Sequence, residues 1–135
     1  MARDVRRLRV YLVEDSPRLL RRLMELLDEI GAQIVGHADS ASRAIDDIAA
    51  MNPDIAVVDI GLQQGNGFDV LRALKLRKNA GPIGIVLTNF TTRPYRAAAT
   101  RLGASYFFDK NQEIVAMLRT IATIAESREL NAAPT

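Results

Sequence analysis

The stretch Asp54-Ile-Ala-Val-Val-Asp59 decides the fold. Four consecutive apolar residues between carboxylates read as a strand buried on both faces, which is the situation of a central strand in a parallel sheet covered by helices. On both sides of it, short runs rich in Val, Ile and Leu alternate with longer stretches in which apolar residues recur every three or four positions. Upstream, residues 8–13 read as a first strand followed by Glu14–Asp15, and Ser16 and Pro17 then supply an N-cap and a first helical residue. The helix they open has the apolar stripe Leu19, Leu20, Leu23, Met24, Leu27 and Ile30, and Gly31 ends it. A second strand is expected over residues 33–37. A second helix follows over residues 40–51, with Ala44, Ile45 and Ile48 inward and Asn52–Pro53 as its stop.

Downstream of Asp59, residues 61–67 hold three glycines and two glutamines and predict a mobile loop before a third helix over residues 68–78. A fourth strand over residues 83–87 runs into Thr88. The fourth helix begins near Arg93, has Pro94 in its first turn and stops at Gly103. The fifth strand spans residues 105–108 and leads to Asp109–Lys110. Asn111 is expected to cap a fifth helix with the stripe Ile114, Val115, Leu118, Ile121 and Ala125, and residues 130–135 read as a disordered tail. Five βα units place the chain in the α/β class, as a doubly wound five-stranded parallel sheet with helices on both faces. The domain is expected over residues 8–126, between a basic arm (1–7) and a tail (127–135).

Composition narrows the function. With 135 residues, 48% of them hydrophobic, one domain with a sizeable core is expected. The net charge is only +2, and Arg3, Arg6, Arg7 and Arg9 concentrate the excess at the start. The body is therefore near neutral, a poor match to a nucleic-acid-binding domain. The absence of cysteine rules out disulfides and thiolate chemistry, and the single His37 cannot build a histidine metal cluster. No apolar stretch is long enough to span a bilayer and the start lacks a secretory signal, so no membrane partner and a cytoplasmic location are expected.

Glu14 and Asp15, Asp59, Thr88 and Lys110 follow the C-terminal ends of predicted strands 1, 3, 4 and 5. Parallel strands end at a common edge, and ligands of open α/β sheets bind in the crevice outside it, so these five side chains are placed to converge. Strand 2 brings no such group, as fits an outer position in the flavodoxin-like order 2-1-3-4-5. Three carboxylates in one crevice repel one another unless a divalent cation sits among them, and all-oxygen ligands favour Mg²⁺. Lys110 adds a compact positive charge and Thr88 a hydroxyl donor. Singly, each is better explained as a helix cap or a solvated charge. Together they describe phosphoryl chemistry on a carboxylate nucleophile.

The motifs Val13-Glu14-Asp15-Ser16, Val57-Val58-Asp59-Ile60, Leu87-Thr88-Asn89 and the run from Gly103 to Lys110 resemble the receiver domain of bacterial two-component response regulators. The resemblance covers roughly residues 8–126. It implies that Asp59 is the phosphoacceptor and that Glu14, largely through water, Asp15, Asp59 and the Gly61 carbonyl hold Mg²⁺. Thr88 and Lys110 would grip the phosphoryl oxygens, and Phe107 would be the switch aromatic. The implied partners are a sensor histidine kinase or histidine phosphotransfer protein and a downstream protein that reads the face of helix 4, strand 5 and helix 5. The exposed aromatic and apolar residues of strand 5 also suggest a homodimer contact. On this reading the protein is a signalling switch that catalyses only its own phosphorylation and dephosphorylation, with no direct nucleic-acid contact by this domain.

The chain departs from the family pattern at three places. Asn111 stands where a proline usually follows the lysine, Asn89 where Ala or Gly usually follows the threonine, and the customary proline is missing from the loop after Asp59. Phe90 and Gly61 flank the site where other members often have polar groups, so an unusual dephosphorylation rate is expected. Two other functions compete on the same architecture. A phosphorylation-independent interaction module would leave the acidic pocket vestigial. A Mg²⁺-dependent phosphatase of the haloacid dehalogenase type would need a second carboxylate at the position of Gly61. A flavin site is disfavoured because the clustered carboxylates would repel the cofactor phosphate.

Overall fold

The computed structural model describes residues 7–77 and 81–132. Ten elements alternate along the chain: β1 (Arg9–Val13), α1 (Pro17–Glu29), β2 (Gln33–Ala38), α2 (Ala41–Met51), β3 (Ile55–Val58), α3 (Gly67–Lys75), β4 (Ile83–Thr88), α4 (Arg93–Arg101), β5 (Tyr106–Asp109) and α5 (Ile114–Ala132). The strands form one parallel sheet in the order β2-β1-β3-β4-β5. This is the expected flavodoxin-like arrangement, and every residue of β3 is buried.

Strand side chains alternate between faces, and two cores result. On one face Val10, Leu12, Val57, Ile85 and Leu87 meet Leu23 and Leu27 of α1 and Met117 and Ile121 of α5. On the other Tyr11, Val58 and Val86 meet Ala44 and Ile48 of α2, Val70 and Leu71 of α3 and Ala99 of α4. Each large aliphatic side chain fully buried in this way contributes roughly 1.5–3 kcal/mol. The register aligns Val13 with Val58 and Val58 with Val86, while Thr88 pairs with Asp109 at the outer edge. The polar residues that follow these strands therefore emerge along one rim.

At the helix starts Ser16 acts as the expected N-cap, and Ser40 and Asn66, not singled out as caps by the sequence, act in the same way. The side chains of Ser16, Ser40 and Asn66 accept hydrogen bonds from the backbone N–H groups of Leu19, Arg43 and Asp69. Four expectations need correction. Asn111 does not cap α5: the helix begins at Ile114, and the Asn111 N–H is turned to Asp109 Oδ1 at 2.7 Å. Val115 is 61% exposed and Met117 takes the core position, because at about 100° per residue Ile114, Met117, Leu118 and Ile121 share one side of the helix and Val115 falls off it. Ile30 follows the end of α1 and is exposed. Finally, α5 runs to Ala132, so residues 127–132 are helix rather than tail; Arg128 fixes this stretch through an ion pair to buried Asp54 at 2.9 Å. α3 ends at Lys75, and Lys78, the expected end, lies outside the described residues, as do residues 1–6 of the arm. Arg7 is not free in solution, since its guanidinium donates to the carbonyls of Gly31 and Ala32.

Candidate functional site

Asp59 leaves the end of β3 with its N–H donated to Val13 O at 3.0 Å, which continues the sheet one residue beyond the strand and carries the side chain to the rim. Glu14 is held in the same way, its N–H on Ala38 O at 3.0 Å. Both carboxylates are 4% exposed. Asp15, half-buried, stands beside them, and oxygen atoms of Glu14, Asp15 and Asp59 all lie within 4.8 Å of one another.

Lys110 enters from the end of β5. Its N–H donates to Thr88 O at 2.9 Å, and its Nζ reaches Asp59 Oδ2 at 2.6 Å and Glu14 Oε1 at 2.9 Å. Among the described residues one ammonium thus bonds two of the three carboxylates, Asp15 accepts the Gln63 N–H instead, and the cluster retains a surplus of negative charge. Burial pushes the Glu14 carboxyl up, against the pull of Lys110 and the Ser16 N–H. Burial also acts to lower the Lys110 ammonium, but its bonds to Asp59 and Glu14 outweigh that and hold it above the ordinary lysine value. Both oxygens of Glu14 are engaged, Oε1 by Lys110 and Oε2 by the Ser16 N–H at 2.9 Å. The donor set suits a hard divalent cation such as Mg²⁺, which takes a couple of carboxylates and keeps several waters. Thr88 is fully buried at the end of β4, and its Oγ1 accepts the Phe90 N–H at 3.2 Å.

Four of the five residues selected by strand-end position therefore come together through their side chains, and Thr88 adjoins them at the same sheet edge through its carbonyl, which accepts the Lys110 N–H. The loop of residues 61–67, expected to be mobile, is instead tied down: the Gly61 N–H donates to Asp59 Oδ1, the Gln63 N–H to Asp15 Oδ2 and the Gly67 N–H to Ile60 O, and Gln64 O accepts from Ala41. Gly67 is a positioning residue that the sequence reading passed over. A Cβ there would run into the Asp59 carbonyl, so only glycine lets α3 begin directly behind the acidic site.

An aromatic group covers the opposite side. The Phe90 ring lies on Gly61 where any Cβ would collide with it, and Phe90, Tyr95 and Phe68 follow one another with ring centroids 5.2 Å and 6.3 Å apart. Phe107 is half-buried on the α4 side of β5, with the Arg96 guanidinium 4.6 Å above its ring centroid. Arg96 also donates from Nε to Thr91 O at 2.9 Å. Nothing in the local sequence marks Arg96, because the contact depends on how α4 lies across β5.

A sequence profile described as the response regulator receiver domain matches residues 10–122. The chain is 30% identical over 123 residues to the DNA-binding transcriptional activator DevR/DosR of Mycobacterium tuberculosis, a match that covers 90% of this chain and 56% of that protein. The chain spans about half the length of the curated relatives it matches. Among solved structures, it resembles the response regulator domain of Thermotoga maritima CheB with a TM-score of 0.73 and 26% identity, over 96% of this chain and 100% of that one. It also resembles a CheY-like receiver domain protein from Methanospirillum hungatei with a TM-score of 0.80 and 22% identity, over 94% and 100% of the two chains.

Proposed function

The chain belongs to the response regulator receiver family, and from that premise we propose that Asp59 is its phosphoacceptor, served by a Mg²⁺ site and by Lys110 and Thr88. Receiver domains of this family are signalling switches that accept a phosphoryl group and bind Mg²⁺ at an acidic pocket. The observation that carries the assignment here is the charge surplus: of three carboxylates within 4.8 Å of one another, two share Lys110 and Asp15 has no cation among the described residues. Such a cluster is costly for the empty fold and favourable once more positive charge arrives.

Asp15, Asp59 and the Gly61 carbonyl would hold Mg²⁺, with Glu14 acting through water because both its oxygens are already engaged. When bound, the ion supplies positive charge to the phosphoryl oxygens. A carboxylate oxygen of Asp59 attacks the phosphorus of a phosphohistidine on a histidine kinase or phosphotransfer protein; the P–N bond breaks and the imidazole leaves with its electron pair. Lys110 Nζ exchanges its hold on Asp59 Oδ2 for a phosphoryl oxygen. The Thr88 hydroxyl turns from the Phe90 N–H to donate to another oxygen. That movement vacates space for Phe107 to turn inward and alters the α4–β5–α5 face, which a downstream protein or a second copy of the chain then reads.

Treatment with a small phosphodonor such as acetyl phosphate tests this reading by intact mass. One phosphoryl group is expected in the presence of Mg²⁺ and none with chelator or in Asp59→Asn. Labelling that survives the substitution sinks the assignment, and a wild-type chain that never labels favours a phosphorylation-independent interaction module.

A further inference from the structure

The stretch from Val70 to Phe108 contains seven Lys and Arg residues and not one Asp or Glu. It supplies most of α3, all of β4 and α4, and the start of β5. Among the helices α4 alone carries no Asp or Glu: α3 holds Asp69, which pairs with Arg72 at 3.0 Å, and α1 sets Arg18, Arg21 and Arg22 against Glu25, Asp28 and Glu29. The two helices of the stretch are neighbours on the same face of the sheet. The Lys75 Nζ at the end of α3 donates to the Arg101 carbonyl at the end of α4 at 2.6 Å, which draws the cations into one surface.

How those cations are used separates them. Arg96 is engaged with the Phe107 ring and the Thr91 carbonyl. Arg93 and Arg101 are exposed, and neither side chain has a partner among the described residues. Arg93 is also badly placed for its own helix. It opens α4 at the positive end of the dipole, no acidic residue stands in the first turn, and Thr92 makes no side-chain cap. A cation there costs stability, so a use outside the fold accounts for it better than a structural one does.

We propose that the outer face of α4, extended by Lys75, docks an acidic protein segment: a partner helix with carboxylates two turns apart. Arg93 and Arg101 stand about 12 Å apart along the helix at ~1.5 Å per residue, and each offers a planar fork that a carboxylate fills bidentately. Nucleic acid fits less well. A stable phosphate track needs about 6–10 neutralised phosphates, and this surface has two unengaged guanidinia and one ammonium on a chain of net charge +2. The proposal does not depend on phosphorylation of Asp59.

A fluorescein-labelled, alanine-based helical peptide with glutamates eight residues apart, titrated with the full chain at about 50 mM salt, tests it by anisotropy. Binding is expected to weaken at least tenfold in Arg93→Glu/Arg101→Glu and to stay within twofold in Arg18→Glu/Arg21→Glu. The α4 double variant should fold, since the gain from Glu in the first turn offsets the loss from Glu in the last, and its acetyl phosphate labelling should match the wild type. No peptide binding up to millimolar chain, equal losses from the α1 and α4 reversals, or tighter binding of a random DNA duplex each overturn the proposal. Peptide binding by a chain that never labels would leave it standing while the phosphoacceptor reading fell.

Discussion

Two buried carboxylates close the two ends of β3, and they differ in how fully they are neutralised. Asp54, 8% exposed, receives the Arg9 N–H at 2.8 Å and the Arg128 guanidinium at 2.9 Å. Asp59, 4% exposed, receives the Gly61 N–H at 3.1 Å and the Lys110 ammonium at 2.6 Å, but shares that ammonium with Glu14 and lies against Asp15. Burial and an ion pair are common to both ends, so neither distinguishes a functional site. The difference is stoichiometric: a carboxylate with at least one cation of its own locks the sheet to α5, whereas one cation among the described residues for three carboxylates leaves a site that is completed from outside.

The largest expected consequence is in the response to Mg²⁺. An ion that binds only the folded state at 100 times its dissociation constant adds about 2.7 kcal/mol to the stability. Urea melts of the wild type and of Asp54→Asn should show that gain in full, and Asp59→Asn should lose most of it. Equal gains in all three would mean that the ion does not use the Asp59 end.

Without metal, the same two substitutions should act with opposite signs. Asp54→Asn removes the charge that Arg128 and the Arg9 N–H engage and should cost about 2 kcal/mol, the lower part of the range for a charged bond because Arg128 is partly exposed. Asp59→Asn removes one of three repelling charges while Glu14 still holds Lys110, and should raise stability by about 1 kcal/mol. Chemical denaturation in chelator gives both numbers, and losses at both ends would refute the stoichiometric distinction.

Much of this contrast is legible in the amino-acid sequence. The apolar run of β3 declared a central strand, and four strand ends with polar residues declared a shared rim, because parallel topology forces them to one side. What stayed hidden required relative placement. Arg128 pairs with Asp54 across a long separation in sequence, which left residues 127–132 without a reason to be helical until α5 was laid along the sheet. Gly67 looked like one of several loop glycines, and its role appears only from the proximity of the Asp59 carbonyl. The start of α5 was misjudged because Asn111 is a good cap by type, yet the Asp109 side chain claims its N–H and the Glu113 side chain claims that of Asp109.

Tyr11, on the neighbouring strand, extends the comparison to a buried group with no charge to balance. Its ring is fully buried and its hydroxyl donates to Asp47 at 2.7 Å. Burial first, and then the bond to Asp47, raise the phenol well above its ordinary value. The unfolded chain therefore releases this proton first as pH rises past about 10, and stability falls with pH from there upward. Tyr11→Phe should cost about 1 kcal/mol near neutrality and flatten the alkaline decline measured by denaturation across that range. A decline as steep in the variant would assign the alkaline loss to Lys110, whose raised ammonium likewise loses its contribution as pH climbs.

The smallest expected effect concerns what covers each end. Arg128 closes the Asp54 end with a charge, while the Asp59 end is covered by Phe90, 44% exposed and resting on Gly61. A ring at that place occupies space that water would need in order to approach a phosphoryl group on Asp59. Phe90→Ala should shorten the lifetime of the aspartyl phosphate about threefold, a barrier change of roughly 0.6 kcal/mol, followed by loss of phosphoryl mass after donor removal. Gly61→Ala places a methyl group in the ring's position and pushes it aside, so it should change the lifetime in the same direction. Because both act through one ring, the double variant should decay no faster than Phe90→Ala alone. Additive acceleration would mean that the added methyl disturbs the Asp59 carboxylate directly, through the Gly61 N–H that it accepts, and that the ring covers nothing.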